Sequence, residues 1–189
     1  MKQVIIVGGP NGSGKTTFAN EFLSEMSLPF LNADIIQSSI NAPTEQQAHI
    51  KAARIILQSI EQKIAASDSF IIESTLSGRF LQAQLQLMKD KGYHISLFYV
   101  YLDNVEENLH RISLRVAKGG HQVAEVDVRR RFERSLHNFW NIYKDRADVW
   151  SIYNNSHDTI VPVATSNEDG LTVQDQLFLN DFISTCNSK

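Results

Sequence analysis

Short apolar, β-branched runs alternate along this chain with longer segments of helical period, and that alternation predicts βαβ units. Strands are expected at Gln3 to Val7, Pro29 to Asn32, Ser69 to Glu73, His94 to Leu102 and Val149 to Asn154. Apolar runs of this kind suit a parallel sheet covered on both faces. Between them, Lys15 to Met26 places Phe18, Phe22 and Leu23 on one side of a helix. Thr44 to Ala66 repeats Ile50, Ala53, Ile56, Leu57, Ile60 and Ile64 at spacings of three and four. Further helices are expected through Leu81, Leu85 and Met88 to a stop at Gly92, then at roughly Val105 to Ala117, Ala124 to Tyr143 and Val173 to Ser184. The pattern predicts a three-layer α/β fold around a central parallel sheet of about five strands. With no internal repeat and no linker rich in Pro, Gly or Ser, residues 1–189 are expected to form one domain.

Composition narrows the classes open to such a fold. Hydrophobic residues make up 42% and charged residues 21%, which excludes a disordered or fibrous chain. A net charge of −3 argues against a surface built as a whole for nucleic acid or anionic membrane. One cysteine, Cys186, allows neither an intrachain disulfide nor a cysteine-based zinc site, and a reducing, cytoplasmic setting is expected. No run approaches ~18 consecutive apolar residues, and Val4-Ile5-Ile6-Val7 leads into a glycine-rich loop instead of a cleavage site. No export or spanning segment is expected.

That loop carries the clearest chemistry. Gly9-Pro10-Asn11-Gly12-Ser13-Gly14-Lys15-Thr16 matches the Walker A pattern G-x-x-x-x-G-K-[ST] after an apolar strand and before a helix, the context in which it cradles phosphates. The glycines let successive N–H groups face inward, and the helix N-terminus adds its positive end. Gly9 to Thr17 are therefore expected to bind ATP, with Lys15 on the β- and γ-phosphates and the Thr16 hydroxyl on Mg²⁺. The expected fold sharpens to that of the P-loop kinases, because 189 residues leave little room for a motor's or transporter's partner domains.

A kinase further needs a base, an acceptor pocket and a cationic lid. Asp34 follows the second strand, where the carboxyl ends of parallel strands border a ligand crevice, and is the candidate general base. Its structural alternative is an N-cap for Ile35 to Ile40. Glu73 ends the third strand and either holds the Mg²⁺ shell or binds a substrate hydroxyl, with Thr75 as an added donor. Asp103, immediately before a helix, reads as a cap. Seven of the 18 basic residues fall between Arg111 and Arg134, where even scattering would place about two, and this segment is the expected lid. Arg111 can pair with Glu107, Arg129 with Glu125 or Glu133, and Arg131 with Asp127. Arg115 and Arg130 lack an acid four residues away and are the first choices for phosphate, moving on a Gly119-Gly120 hinge beside His121. Trp140 and Trp150 read as core aromatics, and Asn154 to Ser156 as a loop bordering the base or a plain polar turn.

Taken together, Gly-Pro-Asn-Gly-Ser-Gly-Lys-Thr-Thr from Gly9, Asn-Ala-Asp ending at Asp34, Glu-Ser-Thr-Leu from Glu73, Arg-Val-Ala-Lys-Gly-Gly-His from Arg115, Arg-Arg-Phe from Arg130 and Tyr-Asn-Asn-Ser from Tyr153 resemble the compact bacterial zeta-toxin-like P-loop kinases. The resemblance covers the chain to about residue 165. It implies that Lys15, Asp34 and Glu73 match the family's P-loop lysine, catalytic aspartate and strand-end glutamate, and that Arg115 with Arg130 or Arg131 match its lid arginines. It further implies ATP and Mg²⁺ as cofactors, UDP-N-acetylglucosamine as the first candidate acceptor and an antitoxin as a possible protein partner. Full toxins carry longer substrate-side segments than this chain. Another metabolite or antibiotic hydroxyl, or a nucleotide switch acting through a protein partner, fits the same residues, whereas a polynucleotide substrate or a membrane partner is not expected.

Overall fold

The five apolar runs form parallel strands: β1 (Gln3–Gly8), β2 (Phe30–Asn32), β3 (Phe70–Ser74), β4 (His94–Tyr101) and β5 (Val149–Asn154). The computed structural model describes residues 1–32, 35–36, 39–40, 44–120, 122–156 and 159–187, with backbone only at 45, 46 and 49. Two strands beyond the expected set, β6 (Val161–Asn167) and β7 (Gly170–Val173), extend the sheet antiparallel, giving the order β2-β3-β1-β4-β5-β6-β7. They escape a search for buried apolar runs because the partly exposed β6 mixes Val161 and Val163 with Pro162, Thr165 and Ser166, and β7 at the edge is almost wholly exposed. Their turn is chemically clear: the Asn167 side-chain oxygen accepts the Asp169 N–H at 3.0 Å, and Gly170 adopts φ 111°.

The helices are α1 (Lys15–Phe22), α2 (Glu45–Ala66), α3 (Phe80–Asp90), α4 (Val105–Ala117), α5 (Glu125–Asn138) and α6 (Gln176–Asn187). Thr44 caps α2, its hydroxyl accepting the Gln47 N–H at 3.3 Å. The last helix starts three residues later than expected because Val173 pairs with Ala164 in β7 and Asp175 caps the Leu177 and Phe178 N–H groups. Asp103 does not cap α4. Asn104 does, accepting the Glu107 N–H at 2.9 Å.

Alternate residues of β1 feed two cores, as the period of a strand requires. Val4 and Ile6 pack with Phe70, Ile72, Leu97 and Tyr99 against α2, α3, α5 and α6, while Ile5 and Val7 pack with Phe18, Ala19, Ile71 and Val100 on the side of α1. The buried stripe of α2 runs through Ala48, Ala52, Ile56, Ile60 and Ile64, so Ile50, expected in the core, is 53% exposed. Phe22 is equally exposed at the end of α1. Trp140 and Trp150 meet edge to face at 6.1 Å beside the first core, as aromatic packing predicts. Among the described residues no helix is long and apolar enough to cross a membrane.

The strand order sets the site. The chain leaves β1, crosses to the edge at β2 and returns to β3 between them, so the β1–β3 gap is a switch point where open parallel sheets hold ligands. Register places Val7, Glu73 and Asn32 side by side across three strands, directly below the glycine loop.

Candidate active site

Gly9, Gly12 and Gly14 adopt φ of 146°, 81° and 93°, the left-handed region that lets the loop turn back on itself before α1. Contact as well as torsion requires glycine: a Cβ at Gly9 would lie 2.0 Å from the Val100 carbonyl oxygen. Lys15 is 7% exposed, and its Nζ donates to the Pro10 carbonyl at 2.8 Å. The Thr16 hydroxyl donates to Glu73 Oε2 at 2.8 Å, joining the loop to the end of β3. Above the loop opens a cavity of about 700 Å³. Gly12, Gly14, Thr16, Thr17, Arg111 and Arg115 supply its polar lining, and Phe22, Ile112 and Ile160 an apolar wall. Gly9, Pro10 and Ser13 shape the loop from behind. This curled backbone with a buried ammonium fits a triphosphate. Hydroxyl and carboxylate oxygens at Thr16 and Glu73 suit Mg²⁺, and among the described residues no cluster of three or more His, Cys, Asp or Glu offers a separate metal cage.

A second cavity, of about 130 Å³, lies on the other side of Lys15 and Glu73, which line both. Asn32, Ser74, Thr75 and Arg131 complete its polar part, and Ala52, Ala53 and Ile56 of α2 with Phe80 of α3 form an apolar wall. The Asn32 side chain accepts the Ile35 N–H at 3.2 Å. Asp34, the expected base, lies outside the described residues, as does His121 of the expected lid loop. Beyond β3 the chain is bent through Leu76, a fully buried residue at φ 54°. Two α5 side chains hold that bend: Ser135 Oγ donates to the Thr75 carbonyl, and Asn138 Nδ2 to the Leu76 carbonyl at 2.8 Å. The Thr75 hydroxyl sits 2.9 Å from that of Ser77.

The arginines separate differently from their expected pairing. Arg111 meets Glu107 at 2.7 Å and Arg129 meets Glu125, as spacing predicts, and Arg129 also reaches Glu106 on α4. Arg130 is not free of acids: it is exposed and bound to Asp127, three residues back. Arg131, expected to take Asp127, instead lines the second cavity, and Arg115 lines the first. Core contacts explain the exchange. Val128, Phe132, Ser135 and Leu136 form the buried face of α5, and at about 100° per residue Arg130 falls on the opposite face while Arg131 flanks it.

Asn154, expected to border the nucleotide, is fully buried with its side chain spent on structure. Its amide donates to Asp103 Oδ1 at 2.6 Å and to the Tyr101 hydroxyl at 3.3 Å, and its oxygen accepts the Ser156 N–H. Burial pushes the Tyr101 phenol well above its ordinary value, with the Asn154 bond acting the other way. The neighbouring Asn155 lines the cavity instead and donates to the Ser13 carbonyl at 2.8 Å. Sequence reasoning also missed Phe22 and Ile160, because a lone ring at a helix end and one isoleucine in a loop carry no motif. Asn108, on α4 beneath the glycine loop, was missed for the same reason.

Glycine loop, doubly wound sheet and paired cavities together define the fold of the P-loop kinases. The sequence profile of the zeta toxin family matches residues 1–161, and this chain belongs to that family. An uncharacterised protein of Haemophilus influenzae is 34% identical over 130 residues, 69% of this chain and 92% of its own length. Among solved structures, the AvrRxo1-ORF1:ORF2 complex crystallised with ATP superposes with a TM-score of 0.79 at 15% identity, covering 100% of this chain, which spans 65% of that longer one. The chromosomal toxin–antitoxin system PezAT of Streptococcus pneumoniae superposes with a TM-score of 0.63 at 15% identity, over 98% of this chain and 84% of that one.

Proposed function

We propose that this protein transfers the γ-phosphate of ATP to a hydroxyl group of a small molecule, with UDP-N-acetylglucosamine as the first acceptor to test. One observation carries the reading: a polar cavity large enough for a nucleotide and a smaller, mostly apolar one meet at Lys15 and Glu73. A donor and an acceptor in these two spaces have their reacting ends between the same two side chains. Gly12, Gly14 and Lys15 hold the triphosphate, while Phe22 and Ile160 face its base. Lys15 and Arg131 take up the negative charge that grows on the transferring group. Mg²⁺, bound through Thr16 with Glu73 behind it, would neutralise charge between the β- and γ-phosphates. In the transfer, the acceptor oxygen bonds to the γ-phosphorus, the bond from that phosphorus to the β,γ-bridging oxygen breaks, and ADP leaves. Asp34 receives the hydroxyl proton. Regulation by an antitoxin belongs to the same proposal, supported by the toxin–antitoxin character of PezAT.

The test is acceptor-dependent turnover with ATP and Mg²⁺ across UDP-sugars, nucleosides, and aminoglycoside and phenicol alcohols. A phosphorylated product is expected with one class, and Asp34→Asn should keep ATP affinity while losing ~10²-fold or more in kcat. If no acceptor raises ATP consumption while a protein partner does, the chain is a nucleotide switch and the kinase reading fails.

A further inference from the structure

We infer that Asn108 and Asn155 are positioning residues of the glycine loop: their side-chain amides hold two of its peptide planes with carbonyls outward, so that the Gly12 and Gly14 N–H groups face the phosphates. The inference rests on the reading of the first cavity as an ATP site.

Asn108 Nδ2 donates to the Asn11 carbonyl at 2.7 Å, and Asn155 Nδ2 donates to the Ser13 carbonyl at 2.8 Å. These carbonyls belong to the peptides Asn11–Gly12 and Ser13–Gly14. In a trans peptide the C=O and N–H point in opposite directions, so fixing each carbonyl on an asparagine turns the following glycine N–H away from it. Gly12 and Gly14 both line the large cavity.

The same asparagines account for the glycines themselves. A Cβ on Gly12 would lie 2.7 Å from the Asn108 carbonyl oxygen, and one on Gly14 would lie 2.3 Å from Asn155 Nδ2. Each glycine therefore sits against the residue that orients it, and at φ 81° and 93° both have the torsions such alternating planes demand. Asn108 is fully buried, and among the described residues its Oδ1 meets no hydrogen-bond partner, while its Nδ2 is held by the loop.

The two props are themselves joined. Arg111, one turn beyond Asn108 on α4, donates to the Asn155 carbonyl at 2.6 Å, and the Asn155 N–H donates to the Tyr101 carbonyl at the end of β4. Loop, α4 and the segment after β5 thus form one braced unit around the phosphates.

The experiment follows the Gly12 and Gly14 amide protons by NMR in ¹⁵N-labelled full-length protein titrated with ATP and Mg²⁺, together with calorimetric ATP affinity. In the wild type both protons are expected to move downfield, as N–H groups donating to phosphate do. Asn108→Leu, which keeps size but removes the donor, should abolish the Gly12 shift and spare that of Gly14; Asn155→Leu should do the reverse. Each variant should bind ATP about tenfold more weakly, a loss that a fold defect alone would not split between two glycines. ATP affinities within twofold of the wild type in both variants would overturn the inference. Should a variant not fold, wild-type spectra decide: ATP binding without downfield movement of either glycine refutes it. Absence of ATP binding by the wild type overturns the nucleotide reading itself, and this proposal with it.

Discussion

Arg130 and Arg131 are adjacent, chemically identical and differently placed, so replacing each by alanine isolates position from chemistry. Arg131 lines the cavity that also holds Lys15 and Glu73. A unit charge about 4 Å from a transferring phosphate interacts by about 4 kcal/mol at an effective dielectric near 20. Water entering the space left by alanine returns part of this, and a loss of roughly 10²–10³ in kcat is the usual scale for removing one charge-stabilising group. Arg131→Ala should fall in that range with little change in ATP affinity, because the arginine faces the acceptor side. Arg130 lies in an exposed pair with Asp127. Such pairs contribute about 0–1 kcal/mol to stability, so Arg130→Ala should leave kcat within about threefold and melting nearly unchanged. The assay is steady-state ATP turnover at saturating Mg²⁺, with and without acceptor, alongside calorimetric ATP binding. Equal losses for both variants, or an Arg131→Ala enzyme within threefold of wild type, would refute the assignment of Arg131 to the transferring phosphate.

Other consequences are simpler to check. Phe22 is half exposed, with its ring tilted against Phe18 at 4.8 Å between centroids, so Phe22→Ala should raise KM for ATP about fivefold, near ~1 kcal/mol of lost aromatic contact, without changing kcat at saturation; a fall in kcat at unchanged KM would remove Phe22 from the base wall. Burial of Cys186 against the core pushes its thiol up to about 12, so iodoacetamide at neutral pH should label it only when α6 detaches, and labelling at the rate of a free thiol would contradict its docking. Asp148 is held below its ordinary carboxylate value: burial opposes this, but the Ile95 N–H at 2.8 Å and Lys89 at 3.0 Å outweigh it. A lowered folded value means that its share of stability is intact above about pH 4 and is lost as pH falls through the folded value. Because the pair is one-third exposed, Asp148→Asn should cost less than ~1 kcal/mol at pH 7 and less at pH 2 than at pH 7. Equal destabilisation at both pH values, read from urea melts, would show that the Lys89 charge pair contributes nothing.

What could be read in advance divides along the range of the interactions involved. The glycine loop was legible because its conformation is dictated within eight consecutive positions, and the central strands β1 and β3 because burial on both faces leaves continuous apolar runs. The antiparallel strands β6 and β7, the second of them the sheet edge, need apolar residues on one face at most, and so look like loops. The expected pairing of Arg130 and Arg131 failed for a narrower reason. Counting acids four residues away ignored the equivalent contact at three, where Asp127 stands for Arg130, although the stripe of Val128, Phe132 and Leu136 already turned Arg130 from the core. Asn154 and Asn155 differ only in that Asn154 ends β5 facing inward, a distinction set by register with β4 and β6. The acceptor side is the extreme case. Its wall comes from Ala52, Ala53 and Ile56 on one helix, Phe80 on a second and Arg131 on a third, brought together only by the sheet. None of these wall residues lies in the P-loop, so two chains can share an identical phosphate site and still accept different alcohols. Substitutions on the α2 face should therefore change which hydroxyl is phosphorylated while leaving ATP binding as it is.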